Sequence, residues 1–318
     1  MAEWYSVYSE PEGPFMRNQS LRVGASWYVL AAAMVLISAA PRADGHAAQK
    51  TRTIYASITD KAGAPAANLA PADITVREDG QAREVVSIKA ASAPMAVAFL
   101  VDNSHVAQAM TAEIRLGATS FVSTLLKLSP DSTISLATFG DRPTPVRDFT
   151  SSVPVLTKDT GRIFAVSGSG SYLLDAIVDA SKAFKKMEAP RKAIVAFVDE
   201  SGEEFSNAVR QQVFDAVKAS GASVWIVVLQ GNGAATESTE GRDRSAVIGD
   251  LPRQSGGTTL TILNKQGLND KMKHLASLMA NQFEITYGRP DQLIPPSKLE
   301  VTVGIKNLTV AAPRWTNQ

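Results

Sequence analysis

The sequence contains no cysteine. Disulfides, thiolate metal ligands, cysteine nucleophiles and lipid attachment to a cysteine are all excluded at once. It also lacks an excess of charge of either sign: 32 basic against 31 acidic residues leave a formal net charge of +1. With no dense Lys/Arg run, nothing in the balance points to nucleic acid as a partner. Only three histidines occur, His46, His105 and His274, and none has zinc-ligand spacing. No Gly-x-Ser-x-Gly elbow surrounds Ser104 and His105, so His105 reads as a loop histidine. No Gly-Lys-Ser/Thr follows Gly168 and Gly170, which rules out a phosphate loop there. No internal repeat appears at solenoid or propeller period.

What is present is an ordinary globular composition, 45% apolar and 20% charged over 318 residues, with room for roughly two domains or one domain and an appendage. Near the N-terminus, Arg17 and Arg22 precede an apolar run over 27–37 that passes into Ser38, Ala39 and Ala40. A basic segment, a short apolar core and small residues beyond it are the pattern of a secretory signal, with cleavage expected between Ala43 and Ala48. The uncharged stretch 23–40 sits at the lower limit for a spanning helix, so an uncleaved inner-membrane anchor is the alternative. A buried core helix is a third reading. Any membrane contact would come through this segment alone. Residues 1–15 fit no part of a signal, and Met16, followed at once by Arg17, is the better start. The expected location is periplasmic or secreted.

Four segments follow from the patterning: 1–48 as signal or anchor, 49–93 as a β segment, 94–283 as the main domain, and 284–318 as a second β segment packing on 49–93. Residues 53–58, 74–78 and 82–89 have strand character, with Asp79-Gly80 as a tight-turn signal. Residues 95–101 form an unbroken apolar run ending in Asp102, as in a strand buried on both faces. Helices are expected over 107–126, 173–184, 207–219, 244–251 and 268–280, the fourth stopping at Pro252. They alternate with strands over 133–139, 193–198, 223–229 and 258–263. Strand character returns at 283–287 and 299–305. The fold class is therefore α/β: a doubly wound, mostly parallel sheet with a small β appendage formed by the two flanks.

In such a sheet ligands gather at the carboxyl ends of the strands. There the sequence places Asp102-Asn103-Ser104-His105-Val106, the loop Gly168-Ser169-Gly170-Ser171-Tyr172, and Asp199-Glu200-Ser201. Two carboxylates with neighbouring hydroxyls are the oxygen donors a hard divalent cation prefers. In a bland reading the same residues cap turns and helices around an inactive remnant. Arg142, Arg147, Arg242 and Arg244 read as solvated loop charges.

Over about residues 52–316 the chain resembles the von Willebrand factor type A (vWA) fold, a Rossmann-like architecture, and within it the vWA-related domain of exported bacterial proteins. That resemblance implies a metal-ion-dependent adhesion site built from an Asp-x-Ser-x-Ser loop, a Thr and a further Asp. Asp102 and Ser104 match the first loop, Ser171 stands in the place of the Thr, and Asp199 matches the last element. Val106 stands where the second Ser belongs, so the implied Mg²⁺ or Mn²⁺ site is degenerate. Asn103, His105, Val106, Ser169, Tyr172 and Glu200 would form the surrounding rim. The resemblance implies an exported, non-enzymatic adhesion or protein-binding module engaging a protein or peptide through a carboxylate of that ligand. The rival reading is a structural or assembly component of the cell envelope acting through the β appendage without metal.

Overall fold

A computed structural model describes residues 50–231, 237–290 and 294–316; the signal segment expected over 1–48 lies outside them. The first strands are β1 (Lys50–Thr59), β2 (Ile74–Glu78), β3 (Gln81–Arg83) and β4 (Val85–Ala90). Next come β5 (Met95–Val101), α1 (Thr111–Leu128), β6 (Thr133–Thr138), β7 (Thr144–Thr150), α2 (Val153–Thr160) and α3 (Leu173–Lys185). Then follow β8 (Arg191–Asp199), α4 (Arg210–Ser220), β9 (Ser223–Leu229), α5 (Thr239–Ser255), β10 (Thr259–Ile262) and α6 (Leu268–Ala280). The chain closes with β11 (Phe283–Arg289), β12 (Leu299–Val303) and β13 (Thr309–Ala311).

The six-stranded central sheet has the order β10-β9-β8-β5-β6-β7. All its pairings are parallel except that of β6 with β7. Every residue of β5 is buried, because its alternate side chains serve two cores. Val97, Phe99 and Val101 join Phe121, Leu125, Leu275 and Met279 from α1 and α6 on one face. Ala96, Ala98 and Leu100 join Leu174, Ile177, Val213, Val217 and Leu251 from α3, α4 and α5 on the other. This is the doubly wound α/β arrangement expected from the alternation of elements.

The flanks build a second, antiparallel layer pair. One sheet has the order β13-β1-β11-β4 and the other β12-β2-β3. Their shared core holds Ile58, Ile74, Val76, Ile285, Tyr287 and Leu299. Glu78 lies fully buried within it, accepting hydrogen bonds from Arg83 Nε (3.0 Å), Tyr287 OH (2.7 Å) and Arg289 Nε (2.7 Å). Those donors hold the carboxylate below its usual range against the opposing effect of burial, which by itself would raise it. Asp79 and Gly80 both have positive φ, so the tight turn joins β2 to β3 as the dipeptide foretold.

Several elements differ from expectation. The helix expected from 107 begins as a 3-10 turn over His105–Met110, and α1 starts only at Thr111. Residues 140–167 were read without an element, yet they hold the edge strand β7 and the short helix α2; β7 is largely exposed and carries Pro145, so it shows no clean alternation. The helix expected to stop at Pro252 runs from Thr239 to Ser255 straight through it. Proline has no N–H for the carbonyl four residues back, that of Ile248. Thr259 Oγ1 donates to that carbonyl instead, at 2.7 Å, so the helix continues until Gly256, at φ +92°, ends it.

Candidate functional site

β5 and β8 lie side by side, and their carboxyl ends are tied by one side chain. Asp102 is fully buried. Its Oδ1 accepts from Ser104 N (2.9 Å) and its Oδ2 from Asp199 N (3.1 Å). Burial pushes the Asp102 carboxyl above its usual range; the nearby Asp199 charge adds to this, and the backbone donors oppose it. Asp199 Oδ1 in turn accepts from Ser201 N at 3.0 Å.

The second loop closes against the third. Ser171 N donates to Glu203 O (2.6 Å), Phe205 N donates to Ser171 O (2.8 Å), and Ser171 pairs with Glu204 in a short parallel bridge. The phenyl ring of Phe205 packs where a Cβ on Gly170 would have to sit, 2.0 Å from that position, so only glycine serves there. Glu204 is buried, and its Oε1 accepts from Ser206 Oγ (2.5 Å) and Leu174 N (3.4 Å). Burial pushes its carboxyl up to about 7, against the pull of Ser206 and of the Arg244 charge.

Two hydroxyls face inward without employment. Ser104 Oγ and Ser171 Oγ are buried and complete no hydrogen bond among the described residues. Each lies near enough to a carboxylate, Asp102 and Glu204 respectively, to favour its charged form, yet neither meets hydrogen-bond geometry. Buried polar atoms without partners are uncommon enough to call for an explanation.

The rim residues read from the sequence divide into two groups. Asn103 is buried and spends its amide internally: Gly140 N donates to Oδ1 (2.8 Å) and Nδ2 donates to Phe164 O (3.0 Å). His105 is exposed, while Val106, Ser169, Tyr172 and Glu200 are half-buried. Glu200 Oε2 accepts from Gly231 N at 3.1 Å. Around them stand three exposed apolar side chains, Phe164, Val166 and Phe205. Phe164 lies under the Arg115 guanidinium, 4.1 Å from the ring centre.

Residues 97–203 match the family model of the von Willebrand factor type A domain. The chain carries a vWA domain. Its fold is similar to that of the vWF domain of the type V pili tip protein Mfa5 from Porphyromonas gingivalis, at 11% identity over 59% of this chain and 96% of that one, with a TM-score of 0.47. It is similar also to a von Willebrand factor type A protein from Catenulispora acidiphila, at 10% identity over 86% and 76%, TM-score 0.46. A third similar structure is the PilB minor pilin from Streptococcus sanguinis, at 10% identity over 60% and 62%, TM-score 0.44. No curated protein sequence matches the chain.

The vWA site can be tested for its cation by asking which oxygens are free to take one. Ser104 Oγ and Ser171 Oγ are free, and Asp102 and Asp199 add carboxylate charge beside them. These oxygens fit a hard divalent ion. Val106 does not: its Cγ2 points at Gly202, 3.3 Å from where a Cβ there would lie, and offers no oxygen.

Two residues of this vWA rim escaped the sequence reading. Glu204 was passed over among its acidic neighbours. Arg244, read as a solvated loop charge, is only 1% exposed, on α5, with Nη2 donating to Glu200 O at 2.6 Å. A signal for it existed: Arg244 precedes Val247, Ile248 and Leu251 at spacings of three, four and seven, which puts it on the apolar stripe of the helix. Arg147 is exposed, as expected of a solvated charge, but it is not in a loop. It lies on β7 and its Nε donates to the buried Asp159 at 2.6 Å.

Proposed function

We propose that this chain is an exported, non-enzymatic binding module that engages a protein or peptide at the carboxyl-end rim of its vWA domain. The observation that carries the reading is the pair of buried, unpartnered hydroxyls, Ser104 and Ser171, beside the strand-end carboxylates Asp102 and Asp199. Oxygens so placed are an incomplete shell that a further group would complete. Mg²⁺ or Mn²⁺ would be held by those four residues. When bound, the ion supplies a positive charge to which a ligand carboxylate can bind. The protein's own part is to orient: Asp102 fixes the two strand ends, Asn103 holds the neighbouring loops, and Phe164, Val166 and Phe205 present apolar surface around the opening. A partner with an acidic group flanked by apolar side chains meets both features.

The test is affinity capture from envelope extracts with wild type, Ser171→Ala and Phe205→Glu, in Mg²⁺ and in chelator. The reading expects one partner whose recovery falls in both variants. Recovery unchanged in both, but lost on Val86→Lys in the exposed part of β4, would transfer the function to the β appendage.

A further inference from the structure

Ser104 Oγ and Ser171 Oγ are not the only unspent polar atoms at the rim. Glu204 Oε2 and the Nε and Nη1 of Arg244 are also buried without a hydrogen-bond partner among the described residues. The atoms belong to one cluster. Ser171 pairs with Glu204, and a Cβ placed on Gly202 would lie 3.5 Å from Ser104 Oγ and 3.6 Å from Arg244 Nη1. Those two distances bound the separation of Nη1 from Ser104 Oγ at about 7 Å, within strong Coulomb range in a low-dielectric interior. Asp102, Asp199 and Glu204 are the buried carboxylates there, and Arg244 is the buried cation beside them. Its third nitrogen, Nη2, is anchored on Glu200 O, which fixes the guanidinium in place.

A buried guanidinium with two unused donors is costly unless anions repay it. Here the carboxylate that feels its charge is Glu204, the bridge partner of Ser171. We propose that Arg244 is the resident cation of this site: its guanidinium holds a fixed positive charge within about 7 Å of Ser104 Oγ, where the ion would sit, and by repulsion keeps divalent ions from binding tightly. Val106 removes a ligand and Arg244 opposes the field, so the two act in the same direction. The inference rests on the adhesion-site reading only for where the ion would sit, and its test needs no partner.

The full-length protein and its Arg244→Met and Arg244→Lys variants are titrated with MnCl₂, followed by calorimetry and by the electron paramagnetic resonance of free Mn²⁺. Arg244→Met should bind Mn²⁺ at least about tenfold tighter than wild type, and Arg244→Lys, which keeps the charge, should stay within about twofold of it. MnCl₂ should raise the melting temperature of Arg244→Met by more than that of wild type. If Arg244→Met is recovered only as aggregate, refolding in MnCl₂ and in chelator replaces the titration. Soluble protein in MnCl₂ alone supports the proposal, and failure in both overturns it, since a divalent ion then cannot stand in for the guanidinium. Equal Mn²⁺ affinity in wild type and Arg244→Met, or an equal gain in Arg244→Lys, also overturns it. A wild type that captures no partner would sink the binding reading and leave this result standing.

Discussion

Burial pushes the Glu204 carboxyl up to about 7, so from roughly pH 4.5 to 7 the folded protein holds a proton that the unfolded chain releases. Stability is therefore greatest below the unfolded value and falls as pH rises through the folded one. The loss should reach about 3 kcal/mol by pH 8, and urea midpoints measured in chelator for wild type and Glu204→Gln would show it as a pH slope steeper in wild type than in the variant. At Val106 the side chain puts a methyl where a hydroxyl would serve. Val106→Ser should raise Mn²⁺ affinity, read by calorimetry, and no change would mean that the missing oxygen is not what weakens the site. Asp102→Ala has a different signature. It leaves Ser104 N and Asp199 N without an acceptor, so it should cost about 2–4 kcal/mol in urea denaturation even with no cation present. The position of Asp102 and Asp199 at adjacent strand ends was legible, because an apolar run stops at each. Arg244 was not, because a charged residue is read as exposed unless its helical neighbours are weighed first.

Among the elements, the buried strands were the most legible. β5 announces itself as seven apolar residues without a break, which only a strand covered on both faces needs. That the flanks form one appendage could be read as well, since each end alone has too few strands to hold a core; its antiparallel sense could not. β7 and α2 were not readable, because an edge strand with exposed positions has no pattern to show. The extent of α5 was misjudged for a tertiary reason: the partner for the Ile248 carbonyl comes from Thr259, outside the helix. Thr259→Val should therefore destabilise by about 1–2 kcal/mol by stranding that carbonyl. In a Pro252→Ala background, where the backbone N–H returns, the same substitution should cost much less. A thermal double-mutant cycle checks this, and equal costs in both backgrounds would reject the account.

At the scale of the molecule, β1 pairs with β11 over seven residues, from Lys50 opposite Arg289 to Ala56 opposite Phe283. β11 lies between β1 and β4, so its removal strips both of a neighbour and exposes Ile58, Ile74 and Val76. Deleting 283–318 should give a protein that aggregates or is cut by protease between 50 and 90. A truncated chain as soluble and resistant as the intact one would show that the N-terminal flank stands alone. Among the described residues no helix is long and apolar enough to cross a membrane.

The appendage joins the central sheet at its amino-end side, where Arg191 at the start of β8 donates to Ala93 O, Met279 O and Gln282 Oε1. The rim is at the opposite, carboxyl-end side, a strand length of about 23 Å away for seven residues. A pull applied at the rim with the appendage held would run lengthwise down β5, between β8 and β6. Both neighbours are parallel to it, so the load falls in shear across two full ladders at once instead of opening one bond at a time. The strands of the central sheet thus run along the line from the appendage to the rim.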